Sequence, residues 1–168
     1  MAAGDTLGLV GLGLLGSALA ETFQSSGFDV VGFDLDETRQ RTFEASGGKR
    51  AASPQEMGDT CQRIVLSLPD TNVSRTVVDE LLPGMRAGGV IIDTTTGDPD
   101  TTQYIAETAA EAGVFYLDAT VGGSSQQARQ RDVIVMVGGD RAACDRCRDI
   151  FDAFARDVFY VGASGSGA

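Results

Sequence analysis

Leu7-Gly8-Leu9-Val10-Gly11-Leu12-Gly13-Leu14-Leu15-Gly16 is the stretch whose reading decides the fold. A short apolar run ends at Val10, glycines follow at 11, 13 and 16, and Leu15, Leu19 and Phe23 then recur at helical spacing until Gly27 closes the segment. That order predicts a strand, a tight turn and an amphipathic helix, the context in which G-x-G-x-x-G has meaning. Each glycine has its own expected task. Gly11 allows the turn, Gly13 leaves room for a phosphate to reach the backbone, and Gly16 lets the helix lie close on the strand. The helix N-terminus then faces an anion with free N–H groups and a partial positive charge.

Working outward, Asp29 to Phe33 predicts the second strand, and Asp34-Leu35 follows it. A carboxylate there can accept hydrogen bonds from ribose hydroxyls, so the expected cofactor cradle is Gly11, Leu12, Gly13, Leu14, Leu15, Gly16, Asp34 and Leu35. The same charge repels a 2′-phosphate, so NAD is expected over NADP unless Arg39 or Arg41 swings in.

Further short apolar runs predict strands at Arg63 to Leu68, Val90 to Ile92, Val114 to Leu117, Val133 to Val137 and Val158 to Val161. Helix signals fall between them. Ser53-Pro54-Gln55-Glu56 reads as a capping box with proline at the first helical position, Asp98-Pro99 opens a helix carrying Tyr104, Ile105 and Ala109 that closes at Gly113, and Arg141 to Phe154 supplies a last one. The strand runs are continuous rather than alternating, which implies cover on both faces. The expected architecture is a doubly wound, Rossmann-type α/β domain over residues 1–168, its sheet mostly parallel, with helices on both faces. One stretch breaks the rhythm: Thr120 to Arg131, polar and rich in Gly, Ser and Gln, is expected to be a functional loop after a strand ending at Asp118.

Composition removes several classes of function. A net charge of −11 with only 13 basic residues argues against nucleic-acid and anionic-membrane surfaces. The absence of histidine excludes Ser-His and Cys-His catalysis and imidazole metal sites. Cys144 and Cys147 form a C-x-x-C, but they share a helical face with Phe151 and Phe154, so a core role is expected over a redox one, and no metal site is expected with Cys61 the only other thiol. Three cysteines without scaffold spacing suit the cytoplasm. Leu7 to Ala20 is not expected to be a targeting or membrane-spanning segment, because Asp5 precedes it, no basic region leads it, and it is short. Asp93 and Asp118 end strands, where capping or loop anchoring is expected rather than paired-carboxylate chemistry; Arg129 and Arg131 are open between an acidic substrate and solvent.

Beyond the glycine turn, Leu68-Pro69, Asp93-Thr94-Thr95-Thr96, Asp118-Ala119-Thr120-Val121-Gly122-Gly123, Val137-Gly138-Gly139 and the closing Gly162-Ala163-Ser164-Gly165-Ser166-Gly167 together resemble the β-hydroxyacid dehydrogenase family, which includes 3-hydroxyisobutyrate and 6-phosphogluconate dehydrogenases. The resemblance covers the whole chain. It implies that Leu68, Pro69 and Thr96 line the nicotinamide side of the cofactor and that Gly122, Gly123 and Ser124 hold a substrate carboxylate. The family's Pro-Val-Ser-Gly-Gly reads Thr120-Val121-Gly122-Gly123-Ser124, so the serine hydroxyl is displaced. The resemblance also implies a catalytic lysine beyond Ala168 and a following helical domain that builds a homo-oligomer. The expected activity of such a complete enzyme is hydride transfer between a small β-hydroxy acid and nicotinamide, with little turnover by residues 1–168 alone. A non-catalytic NAD-sensing module and an imine-reductase-like enzyme are the alternatives.

Overall fold

The computed structural model of the chain describes residues 6–168; Asp5, invoked above against a targeting segment, lies outside them. Elements follow in the order β1 (Thr6–Val10), α1 (Leu14–Ser25), β2 (Asp29–Phe33), α2 (Glu37–Ala45), β3 (Lys49–Arg50), α3 (Pro54–Thr60), β4 (Arg63–Leu66), α4 (Thr71–Leu81), β5 (Val90–Asp93), α5 (Pro99–Glu111), β6 (Phe115–Gly122), α6 (Ser125–Arg129), β7 (Val133–Gly138), α7 (Arg141–Arg146), α8 (Arg148–Asp152) and β8 (Ala155–Gly162). They build one sheet in the order β3-β2-β1-β4-β5-β6-β7-β8. Every neighbouring pair is parallel except β6 and β7.

The central strands are buried on both faces because successive side chains point to opposite layers. Val65 and Ile92 enter one core with Leu9, Leu19, Phe23, Leu117 and Phe154, while Ile64, Leu66 and Ile91 enter a second with Met57, Leu81 and Ile105. Phe23 anchors the first core, edge-on to both Phe28 and Phe154 at 6.0 and 5.9 Å. Burying such a ring stabilises the fold by about 1.5–3 kcal/mol. The doubly wound architecture read from the alternating runs is borne out. Among the described residues no helix is long and apolar enough to cross a membrane.

Differences from the expected elements have local causes. Thr120 to Arg131 is not a long loop: β6 runs on to Gly122, and Ser124 and Gln127 form a reciprocal capping box that starts α6. β6 leaves its partner β5 at Asp118 but pairs with β7 from Asp118 to Gly122, so backbone bonds rather than apolar side chains sustain those polar residues. The final helix is two short ones, broken at Cys147, where the backbone turns to φ −103° and ψ 12°. β8 begins at Ala155, ahead of its apolar run, and β3 is two exposed residues with no apolar signal. β4 ends at Leu66, because the Leu68 N–H turns away to Thr95. The Ser53 cap forms, but Glu56 returns its bond to the Ala52 N–H rather than to Ser53 itself.

Because β2 lies to one side of β1 and β4 to the other, the chain runs outward from β1 through β2 to β3 and then crosses back to β4, and this reversal leaves a crevice at the carboxyl ends of β1 and β4.

Candidate functional site

That crevice holds a cleft of about 800 Å³. Gly11, Gly13, Leu14 and Leu15 form its floor, Phe33, Asp34, Leu35, Asp36 and Arg39 one wall, and Ser67, Leu68 and Pro69 with α4 the other.

Gly11 and Gly16 do the steric work that the spacing predicts. Gly11 has φ +98°, and a Cβ there would stand 2.0 Å from the Ser67 carbonyl oxygen. A Cβ on Gly16 would stand 1.9 Å from the Gly11 carbonyl oxygen, so the helix can seat against the strand only without one. Gly13 is different. Its φ is −73°, and a Cβ would meet only the Arg39 guanidinium, at 3.8 Å or beyond. Nothing in the protein requires glycine there; the space it keeps open belongs to the cleft. Gly13 also begins α1 without any side-chain cap, whereas Asp36, Ser53, Asp70, Asp98, Ser124 and Asp140 cap α2 to α7. The first N–H groups of this 12-residue helix are left to whatever fills the cleft.

Asp34, only 10% exposed at its side chain, accepts the Leu12 N–H on Oδ2 and the Asp36 N–H on Oδ1, both at 2.8 Å. It therefore ties the end of β2 to the glycine turn, a structural role that sequence reading missed. Each oxygen keeps a lone pair for a further donor. Of the two arginines considered, Arg39 is at the cleft, 3.7 Å from Asp34 Oδ2, while Arg41 is paired with Glu37 outside it. Arg50 also bonds Glu37, holding that carboxyl below the usual range chiefly through the hydrogen bond it donates.

Leu35 is 91% and Leu14 82% exposed, an unusual pair of bare leucines facing one cavity. Leu12 and Gly16 do not line the cleft; Leu12 is buried and contributes only its N–H. Leu68 and Pro69 stand opposite Asp34 and Leu35, and Thr96 is exposed at the end of β5, outside the cleft lining. Sequence reading passed over Val73, Thr76, Val77 and Glu80, the α4 residues that complete this wall. The signal that could have found them is Asp70, which caps α4 directly after Leu68-Pro69.

Gly122, Gly123 and Ser124 close β6, three strands along the sheet from β1. The Ser124 hydroxyl accepts the Gln127 N–H, leaving its own proton free to donate. Nearby, the Thr120 hydroxyl is buried with no partner among the described residues. Arg129 and Arg131 are exposed and also paired: Arg129 with Glu21 at 2.9 Å, and Arg131 as donor to the hydroxyls of Ser25 and Ser26, so α6 and the turn after it are tied to α1 and its C-terminal end.

The two strand-end aspartates are anchors. Asp118 accepts the N–H groups of Gly165 and Gly167, at 2.9 and 2.7 Å, and so holds the closing turn against β6. Asp93 accepts from the Thr95 N–H and the Tyr116 hydroxyl, and burial pushes its carboxyl up. Cys144 and Cys147 are buried in the core with Phe151 and Phe154, and burial raises both thiols, Cys147 to about 11. This is the opposite of the depressed pKa a reactive cysteine needs.

The family whose model is described as the NAD binding domain of 6-phosphogluconate dehydrogenase matches residues 6–162. A 2-(hydroxymethyl)glutarate dehydrogenase of Eubacterium barkeri is 30% identical over 164 residues, which take in 96% of this chain and 54% of that protein. The solved structure of a 3-hydroxyisobutyrate dehydrogenase of Mycobacterium tuberculosis with L-serine superposes with a TM-score of 0.94 at 27% identity, covering 97% of this chain and 56% of that one. A Streptomyces aurantiacus imine reductase shares the fold, with a TM-score of 0.89 at 24% identity over 96% of this chain and 56% of that one. The chain spans about half the length of these relatives.

Proposed function

Since the chain belongs to the family of the NAD binding domain of 6-phosphogluconate dehydrogenase, we propose that it is the cofactor-holding domain of an NAD-dependent dehydrogenase that oxidises a small β-hydroxy acid. The observation that carries this reading is Gly13: a glycine with ordinary φ and empty space where its Cβ would be, at the uncapped start of α1. Residues 1–168 form one dinucleotide-binding domain in this reading, and the substrate-side helical domain belongs to the longer protein.

The cleft residues fit a dinucleotide. The α1 N-terminus and the open backbone at Gly13 receive the pyrophosphate, which explains how a chain of net charge −11 holds an anion without spending lysines. Asp34 uses its remaining lone pairs for the adenosine ribose hydroxyls, and Leu35, Leu68 and Pro69 face the adenosine from both sides. The position of Leu68 and Pro69 across from Asp34 favours this half of the cofactor over the nicotinamide half implied by the family resemblance. Thr96, in the loop after the next strand β5, borders the nicotinamide ribose, and the bound nicotinamide supplies the centre that takes up or returns hydride. Gly122, Gly123 and Ser124 hold the substrate carboxylate, with the Ser124 O–H free to donate.

No acid-base group is assigned within the chain. Its one lysine, Lys49, lies on the edge strand β3, two strands from β1. NAD is preferred to NADP because a 2′-phosphate beside Asp34 meets a like charge that Arg39, half exposed and 3.7 Å away, offsets only in part. Three free thiols agree with a cytoplasmic setting.

Calorimetric titration of the chain with NAD and NADP tests the reading. NAD binds more tightly, and Asp34→Ala weakens NAD about tenfold or more while narrowing its advantage over NADP. Equal or tighter NADP binding by the wild type overturns the cofactor preference, and no binding of either overturns the function.

A further inference from the structure

Thr94, Thr95 and Thr96 follow one another at the end of β5 and do three different things. Thr94 is buried and donates both its N–H and its hydroxyl to the Leu66 carbonyl, at 2.9 and 2.7 Å. Thr95, 7% exposed, accepts the Leu68 N–H on its hydroxyl oxygen at 3.0 Å and the Ser74 hydroxyl at 3.3 Å, while its own N–H donates to Asp93 at 2.9 Å. Thr96 points out. Two residues further on, the Asp98 N–H donates to the Thr71 hydroxyl at 2.9 Å. The β5 loop is thus fastened to the β4 loop and to α4 on both sides of Thr96-Gly97, and of these bonds the one from the Leu68 N–H to Thr95 ends on a residue that lines the cleft.

We infer that Thr95 is a positioning residue that sets the distance between the Leu68-Pro69 wall of the cleft and the Thr96 lip, and so holds the two halves of a dinucleotide in register. The inference rests on the cofactor reading above. Its physical basis is that Thr95 sits in a buried polar network: its N–H donates to Asp93, and its hydroxyl oxygen accepts from Ser74, fully buried on α4, as well as from the Leu68 N–H. Leu68 and Thr96 lie in the loops that follow the adjacent strands β4 and β5, so the bond between those loops governs their relative placement directly. Thr95 itself does not line the cleft, which is why it positions rather than binds.

The test compares NAD, which spans both halves, with AMP, which occupies only the adenosine half, in titrations of the full chain. Thr95→Val keeps the branched shape and removes the acceptor; it weakens NAD about tenfold while AMP stays within about twofold, and Thr95→Ser returns NAD to within about twofold of wild type. Equal loss of NAD and AMP, or no loss of either, overturns the inference, because a merely structural bond has no reason to separate the two ligands. If Thr95→Val does not fold, Ser74→Ala, which removes the donor to the Thr95 oxygen together with the Ser74 contact to Asp93, weakens NAD about threefold relative to AMP, and a constant ratio overturns the inference. A wild-type chain that binds AMP but gains nothing from NAD also overturns it, whereas one that binds neither removes the cofactor reading itself.

Discussion

Gly13 and Gly16 stand in one turn, and replacing each by alanine separates binding from folding. At Gly16 the added Cβ lies 1.9 Å from the Gly11 carbonyl oxygen and 2.8 Å from its carbon, both backbone atoms. Relief requires α1 to move by about 1.5 Å to reach ordinary contact, and overpacking of this kind costs about 1–3 kcal/mol, at the upper end where no side chain can yield. For a domain of this size that lowers Tm by about 5–10 °C. At Gly13 the Cβ meets nothing closer than 3.8 Å. Replacing an N-cap glycine by alanine costs about 1 kcal/mol, and restricting the unfolded chain returns about 0.4–1 kcal/mol, so stability changes by less than about 1 kcal/mol. Binding behaves in reverse. The Gly13→Ala methyl occupies the space a phosphate oxygen needs, and loss of one charge-assisted hydrogen bond of about 1.5–3 kcal/mol weakens NAD about 10- to 150-fold. Thermal unfolding and NAD titration of the two variants check this. A Gly13→Ala variant that binds NAD like the wild type, or that unfolds as early as Gly16→Ala, refutes the assignment of that space to the cofactor.

Three further outcomes follow from the buried polar groups and thiols. Burial raises the Asp93 carboxyl, so its neutral form is favoured in the fold; that contribution is fully present below the ordinary carboxylate pKa and is lost as pH rises through the raised value. Asp93→Asn keeps an uncharged acceptor for Thr95, so its stability gains on the wild type in denaturant titrations as pH rises above the ordinary carboxylate value of about 4, and parallel curves count against a raised Asp93. Asp118→Ala leaves two glycine amides without their acceptor and lowers stability by about 2–4 kcal/mol, with amide exchange at Gly165 and Gly167 rising most; unchanged exchange there contradicts the anchoring role. All three cysteines are buried, so a thiol reagent leaves them unlabelled in the folded chain near neutral pH and labels them once it is denatured; rapid labelling of Cys147 in the fold removes the core assignment.

Much of this protein is written locally. The strand–turn–helix at Leu7 to Phe23, the continuous apolar runs and the proline- and serine-headed helix starts are short-range signals, and the fold class and the steric roles of Gly11 and Gly16 in the turn follow from them. Asp34 was legible as a site residue for the same reason, by its place after β2. Its bond to Leu12 was not, because that depends on two loops meeting across the sheet. The same limit hid the α4 wall, the β6 extension and the fate of Arg129 and Arg131. The strand end Thr120 to Gly122, with Val121 its one apolar side chain, is held by backbone pairing with β7, which leaves no mark on residue type, and an arginine's partner is chosen by the helix that happens to lie beside it. Period and composition record which face of an element is buried. They do not record which distant group it will touch, and the cleft wall, the Thr95 bridge and the Asp118 anchor are all contacts of that second kind.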